Sequence, residues 1–167
     1  GQHLRFYRCR QGRIAGRYWR GHRRERSRYR HRFEPSEQLD KPYAVAAMGF
    51  FAADSDEEGE YLATSMQQQF LNLRRGTPGQ LPKPVKDMGE IWNRVEKAGV
   101  DHAMRYAAIG GRDTVRKKLR EFIYMTNVDE VMVTANIYDQ EARLKSFGIA
   151  ADLFNELGAE KAEQDCA

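Results

Sequence analysis

The chain has little of what staples a small protein together or anchors it in a membrane. It holds two cysteines, Cys9 and Cys166, near opposite ends, with no Cys-x-x-Cys pair or histidine spacing beside them. Neither a disulfide framework nor a zinc site is expected, and no other metal is implied. No apolar run approaches the ~20 residues that cross a bilayer, and the N-terminal stretch has no apolar signal core. The setting implied is reducing and cytoplasmic, with no membrane partner. A glycine-rich phosphate loop is missing too, because Gly110-Gly111 has no further spaced glycine or lysine. Past the first 32 residues histidine occurs once, as His102 in the polar stretch GVDHAMRY. No carboxylate–serine or cysteine constellation is spaced around it, so it reads as a surface histidine before a catalytic base.

Lysine is absent between Arg5 and Arg32, where one acid, Glu25, faces twelve of the chain's twenty arginines. From Phe33 onward eight arginines and eight lysines face twenty-three acids. A nominal +4 chain is therefore a segment of +11 joined to a body of −7. Such asymmetry is a prior for a nucleic-acid arm. Tyr7, Tyr18, Trp19 and Tyr29, interleaved with arginine, suit phosphate contact plus base stacking. The competing reading is a frame-shifted or misassigned start. Arginine without lysine, no periodicity and an abrupt join favour that reading and weigh against nucleic acid as a partner. With so few aliphatics, residues 1–32 cannot bury a core and are expected to be disordered. Residues 33–158 carry the apolar content of one domain or part of a larger one, and 159–167 form a polar tail.

Pro42–Ala53 (PYAVAAMGFFAA) is almost continuously apolar and predicts a strand buried on both faces, as in a parallel sheet. Ser55 and Glu58 have capping-box spacing, and the acids Asp54, Asp56, Glu57 and Glu58 suit the positive end of a helix dipole. Leu62, Met66, Phe70 and Leu73 then make one apolar stripe, closed by Arg74-Arg75-Gly76. Three prolines and a glycine between Thr77 and Pro84 predict a loop. Asp87-Met88-Gly89-Glu90 repeats the box spacing. It predicts a helical segment that turns Ile91, Trp92 and Val95 inward until Gly99 interrupts it. Tyr106–Ile109 is a short apolar piece, after which Asp113 caps a helix with Val115, Leu119, Phe122 and Ile123 facing the core. Val128–Ile137 reads as a buried strand by its β-branched content. The last helix runs from about Asp139 to Leu157 on Leu144, Phe147, Leu153, Phe154 and Leu157, and Gly158 ends it. The alternation argues for an α/β fold with parallel strands. Three strands leave an unpaired edge, so the body reads as the end of something larger, or as a module that self-associates through that edge.

Candidate chemistry is sparse, and no catalytic residue stands out. A helix N-terminus behind glycines can hold an anion, which makes Gly110, Gly111 and the adjacent Arg112 candidates for a phosphate contact. An ordinary turn and a solvated arginine are the plain alternatives. The acids at the Ser55 helix start suggest a metal site less than they suggest capping. Ligands of parallel α/β folds sit at the carboxyl ends of strands, so Phe51, Thr134 and Asn136 are candidates for a pocket wall. Phe50-Phe51 and Trp92 could line an apolar pocket but read more readily as core, and Asn136 reads equally as a helix cap.

Several runs carry a resemblance, in one consistent order. They are RFEPSEQLDKPYAV (Arg32–Val45), FAADSDEE (Phe51–Glu58), TSMQQQFLNLRRGTPGQLP (Thr64–Pro82), GVDHAMRYAAIGGRDTVRKKL (Gly99–Leu119) and VDEVMVTANIYDQEARLKSF (Val128–Phe147). On these, the stretch from Arg30 to about Ala151 resembles the C-terminal part of the luciferase-like flavin-dependent monooxygenases. Within them it resembles the alkanal-monooxygenase-like oxidoreductases. The resemblance implies part of a (β/α)8 TIM barrel that binds reduced FMN and turns oxygen against a small organic substrate, with a flavin reductase as a supplier. Tyr43–Ala53, Tyr106–Ile109 and Glu130–Ile137 would be barrel strands six, seven and eight. Strands one to five would lie upstream of Phe33 and carry most flavin contacts, so FMN binding by this incomplete barrel is expected to be weak or absent, and the chain inactive alone. Three departures stand out. Gly110-Gly111-Arg112-Asp113-Thr114-Val115 replaces a Gly-Ser-Pro-Glu-Thr-Val turn. Gly59 replaces a helical alanine, at an expected cost of about 1 kcal/mol. Gly148 is expected to weaken the last helix in the same way.

Overall fold

The computed structural model describes residues 29–165. Residues 1–28, for which disorder is expected, and both cysteines fall outside the described residues. The chain runs β1 (Val45–Ala53), α1 (Asp56–Arg75), α2 (Arg94–Met104), β2 (Ala108–Gly111), α3 (Arg112–Thr126), β3 (Glu130–Thr134) and α4 (Gln140–Asp165). The strands form a parallel sheet in the order β2-β1-β3, with Phe50–Ala53 paired to Ala108–Gly111 and Val45–Gly49 to Glu130–Thr134. The α/β reading and the parallel sheet agree with the sequence. The strand order differs from the consecutive order of the resemblance, which would put β2 in the middle. The reason lies in strand length. β2 has four residues and β3 five, whereas β1 has nine and no charge, so each neighbour takes a different half of β1.

The pleat of β1 splits the core into two layers. Met48, Phe50 and Ala52 join Val115, Leu119 and Phe122 of α3 and Ala150 and Leu153 of α4. Phe51 and Ala53 join Leu62, Ala63 and Leu71 of α1 and Val100 and Met104 of α2. Helices therefore cover both faces, which explains why β1 reads as an unbroken apolar run. Burying Phe50 and Phe51 stabilises by roughly 1.5–3 kcal/mol each.

α1 follows its sequence signals at both ends. The Ser55 hydroxyl accepts from the Glu58 N–H at 3.1 Å, and Gly76 adopts the left-handed cap at φ 75°. Its stripe is rotated, however: Leu73 is exposed and Leu71 is fully buried, facing the layer shared with α2. Asp87–Glu90 is a turn, with the Gly89 N–H donating to Asp87 Oδ1 at 2.7 Å, and not a helix start. The helix begins at Arg94 under a complete capping box of Asn93 and Glu96, and Gly99 lies inside it. Val95, expected inward, is 81% exposed. Gly111, not Asp113, is the N-cap of α3. β3 is half the expected length and only half-buried, because it is the sheet edge. α4 continues through Gly158, and Leu144 points outward because Ala142, Ser146, Ala150 and Leu153 form its inner side.

Residues 29–32 are helical and tied to the body. Arg30 donates to Asn127 O and to Asp129, each at 2.9 Å, while Asp129 also accepts the Ala44 N–H at 2.7 Å. The charge break at Phe33 is thus crossed by direct contacts at the N-terminal end of the sheet.

Candidate cofactor site at the carboxyl ends of the strands

β1 leaves the sheet at Ala53 and enters α1 through Asp54-Ser55, while β2 passes straight into α3 at Gly111-Arg112. These two exits touch. A Cβ built on Gly59 would lie 2.6 Å from the backbone N and Cα of Gly110, so the first turn of α1 rests directly on the end of β2. Gly110 itself sits at φ 135°, where L side chains are rare, and a Cβ there would meet Asp56 Oδ1 at 2.4 Å. Gly59 is therefore not a weak spot. Its missing side chain makes room for a neighbouring backbone.

Asp56 then closes the turn. Its Oδ1 accepts the Gly111 N–H at 2.7 Å and its Oδ2 accepts the Thr114 hydroxyl at 3.0 Å. No side chain caps the first-turn N–H groups of α3; Asp56 holds instead the N–H of its N-cap residue, Gly111, and the Thr114 hydroxyl. The Gly111 N–H foremost, then the Thr114 hydroxyl, holds the Asp56 carboxyl below its ordinary value against the opposing effect of desolvation, and Lys118 adds a lesser attraction. Arg112, next in sequence, faces away from this turn. It pairs with Glu156 and lies 3.7 Å from Asp152, both on α4.

The other candidates are dispersed. Phe51 is buried in the layer beneath α1 and α2. Thr134 is exposed and its hydroxyl donates to Met48 O at 3.4 Å. Asn136 is exposed in the loop after β3, with Nδ2 3.5 Å from Met66 Sδ. It does not cap α4, because Asp139 does, accepting the Ala142 N–H at 2.8 Å. Sequence reasoning missed Ser146, whose hydroxyl accepts the buried Ala52 N–H at 3.0 Å and donates to Phe50 O at 3.4 Å. It serves the edge of β1 beyond the last residue of β3. A serine in a helical stripe gives no sign of this in sequence. Asp56 was visible as a first-turn acid, but its partners are more than fifty residues away.

His102 is exposed on α2 beside Arg105, whose guanidinium stacks on Tyr106 at 4.7 Å. A crevice of about 120 Å³ lies against Arg105, Tyr106, Lys118, Phe122 and Met125. It opens where the chain enters β2, at the opposite end of the sheet from the carboxyl termini, and is small beside the ~300–1,000 Å³ of ligand pockets. Among the described residues, no group of three or more His, Cys, Asp or Glu is placed to hold a metal ion. No helix among them is long and apolar enough to cross a membrane.

A protein from Escherichia coli (strain K12) named luciferase-like monooxygenase is 44% identical over 129 residues, which cover 77% of this chain. The matched part of the chain belongs to the luciferase-like monooxygenases. The uncharacterized protein YvbT of Bacillus subtilis (strain 168) is equally similar, 44% identical over 126 residues and 75% of this chain. The chain spans 38% of the length of each of these two relatives. The crystal structure of apo-MsnO8 superposes with a TM-score of 0.64 at 22% identity, covering 81% of this chain and 41% of that one, and shows likeness of fold. No protein-family model matches the chain.

The luciferase-like family implies a flavin. A flavin mononucleotide brings a phosphate and a flat three-ring system. The Gly111 N–H that would meet a phosphate is taken by Asp56, and Arg112 is turned to α4. The residues present do not by themselves fit the group.

Proposed function

We propose that the matched residues are the C-terminal part of a luciferase-like FMN-dependent monooxygenase barrel, an oxidoreductase that acts on a small organic substrate with O2. The observation that carries this reading is the 44% identity over 129 residues to the Escherichia coli relative. In this reading β1, β2 and β3 are barrel strands six, seven and eight, and a flavin reductase supplies reduced cofactor. When bound, the flavin would supply oxygen activation, and the protein would contribute orientation and water exclusion. This chain's part is structural. α1 and α3 brace the carboxyl ends of β1 and β2, and Thr134, the last residue of β3, and Asn136 just after it stand at the surface, where a pocket wall would be completed by other strands.

The chain alone is proposed to be inactive and to bind FMN weakly or not at all. Titrating FMN fluorescence with the purified chain should give no saturable quenching, and a stoichiometric yellow flavin spectrum would contradict this. The family reading is tested by a chimera that joins the part of the Escherichia coli relative not matched here to residues 33–158. The chimera is expected to bind FMN and to consume oxygen when reduced flavin is supplied. A folded chimera that does neither removes these residues from the barrel role.

The outer edges of β2 and β3 carry backbone groups that the sheet leaves unpaired, and they are the proposed route for any self-association. Concentration-independent elution as a monomer would count against it.

A further inference from the structure

We propose that the arginine-rich segment 1–28 docks on its own chain, over the apolar face left open at the amino ends of β1 and β3. Its basis is independent of the monooxygenase reading.

The face follows from pleat and register. Ala46, Met48, Val131 and Val133 belong to the layer with α3 and α4, so the residues alternating with them turn to the opposite side. There Val45 stands opposite Glu130 and Ala47 opposite Met132. The layer with α1 and α2 holds Phe51 and Ala53, at the carboxyl end of β1. At the amino end Val45 is 50% exposed, Ala47 is exposed and Met132 is half-buried. Tyr43, exposed as well, extends the patch, and its hydroxyl donates to Glu130 Oε2 at 2.9 Å.

Position and charge together name the occupant. The first described residues are already docked at this end of the sheet. The Tyr29 hydroxyl accepts the Tyr43 N–H at 3.3 Å, and Arg30 pairs with Asp129 at 2.9 Å. Segment 1–28 therefore joins the body beside the patch. The ten residues from Tyr29 back to Trp19 can span roughly 33 Å, against about 13 Å along the strand from Tyr43 to Ala47. The tether also gives the segment a high effective concentration at the patch. Residues 1–28 hold ten arginines and one acid, Glu25, whereas 29–167 hold eighteen lysines and arginines against twenty-three acids. A second copy seated here would set one Glu130-bordered face against another, and like charges repel. The arginine-rich segment brings the opposite charge, with Tyr18 and Trp19 to lie on Val45 and Ala47. So few aliphatics build no core alone, but they can cover a surface that the body supplies.

The test places a nitroxide on Cys9 of the isotope-labelled full chain, with Cys166→Ser leaving one thiol. The amide signals of Val45, Ala47 and Met132 should lose most of their intensity. Ala47→Lys, which sets a cation at an exposed position of the patch, should restore them. No loss at these residues overturns the proposal, and so does a loss that a natively folded Ala47→Lys leaves unchanged. If Ala47→Lys fails to fold, the pattern in the parent chain decides. A segment that merely hovers about its tether broadens Asn127 and Asp129, beside Arg30, more than Ala47 and Met132, and that ranking overturns docking on the face. The reverse ranking supports it. Mixing nitroxide-bearing chains with isotope-labelled chains that carry no nitroxide tests a second copy as the occupant. Broadening of the patch in that mixture, as strong as within one chain, also overturns the proposal.

Discussion

At the scale of single residues, the glycines of the helices have opposite meanings that composition does not separate. Gly59 and Gly148 both sit in helix interiors, where glycine costs about 0.5–1 kcal/mol relative to alanine. A Cβ on Gly148 would meet nothing within 4 Å, whereas one on Gly59 would collide with the backbone of Gly110. Gly148→Ala should therefore stabilise the fold by about 0.5–1 kcal/mol. Gly59→Ala should destabilise it by roughly 1–3 kcal/mol, the usual cost of overpacking. Urea denaturation of the two variants gives the signs directly, and equal signs would show that the α1–β2 contact is looser than described. Ser146 is a second case. Its replacement by alanine leaves the buried Ala52 N–H without a partner, so Ser146→Ala should cost about 1–3 kcal/mol, measured in the same way.

At the scale of elements, α2 shows how two plausible start signals are decided. Asp87–Glu90 and Asn93–Glu96 both have box spacing, but only the second acquires a tertiary partner. Arg75, in the last turn of α1, donates to both oxygens of Glu96 at 2.8 and 2.9 Å and to Ile91 O at 2.9 Å. The bidentate pair joins the end of one helix to the start of the next. Asn93→Ala should cost about 1 kcal/mol through the lost cap. The Arg75 guanidinium, followed by the Asn93 N–H, holds the Glu96 carboxyl below its ordinary 4.5. A lowered folded value means that stability is fully present above the ordinary range and is lost as pH falls through the lowered one. The stability gap between wild type and Glu96→Gln should accordingly shrink once pH drops below 4.5, and a constant gap would show that charge plays no part.

At the scale of the whole molecule, strand order links the fold to the proposed function. In this chain Ala47 lies opposite Met132 in the β1–β3 register. In a barrel of consecutive strands β2 would stand between them. Cysteines at Ala47 and Met132, with Cys9 and Cys166 changed to serine, should cross-link in this chain and fail to do so in the chimera with the Escherichia coli relative. Cross-linking in both would mean that β1 and β3 stay paired in the larger protein and that the barrel numbering is wrong. The same arrangement predicts hydrogen exchange. The amides of Phe50–Ala53, fully within the core, should be the slowest, and those facing outward on β3 among the fastest of the sheet.

The sequence by itself determined the class of the fold, because local patterns carry that information. The apolar run of β1 requires cover on both faces, and Ser55, Glu58 and Gly76 mark the ends of α1 with their own side chains and backbone freedom. It also carried the family relationship, through runs that persist in order along the body. Tertiary structure alone decided which side chains meet. Pairing Asp56 with Gly111 and Thr114, Ser146 with the edge of β1, and Arg75 with Glu96 needs contacts between residues far apart in the chain, and no local period encodes them. It also decided the strand order, because a nine-residue strand with two short neighbours can share its edges between them. The turn at Gly110-Gly111 could be read in sequence as an anion cradle. In the folded chain the anion is already there, as the carboxylate of Asp56.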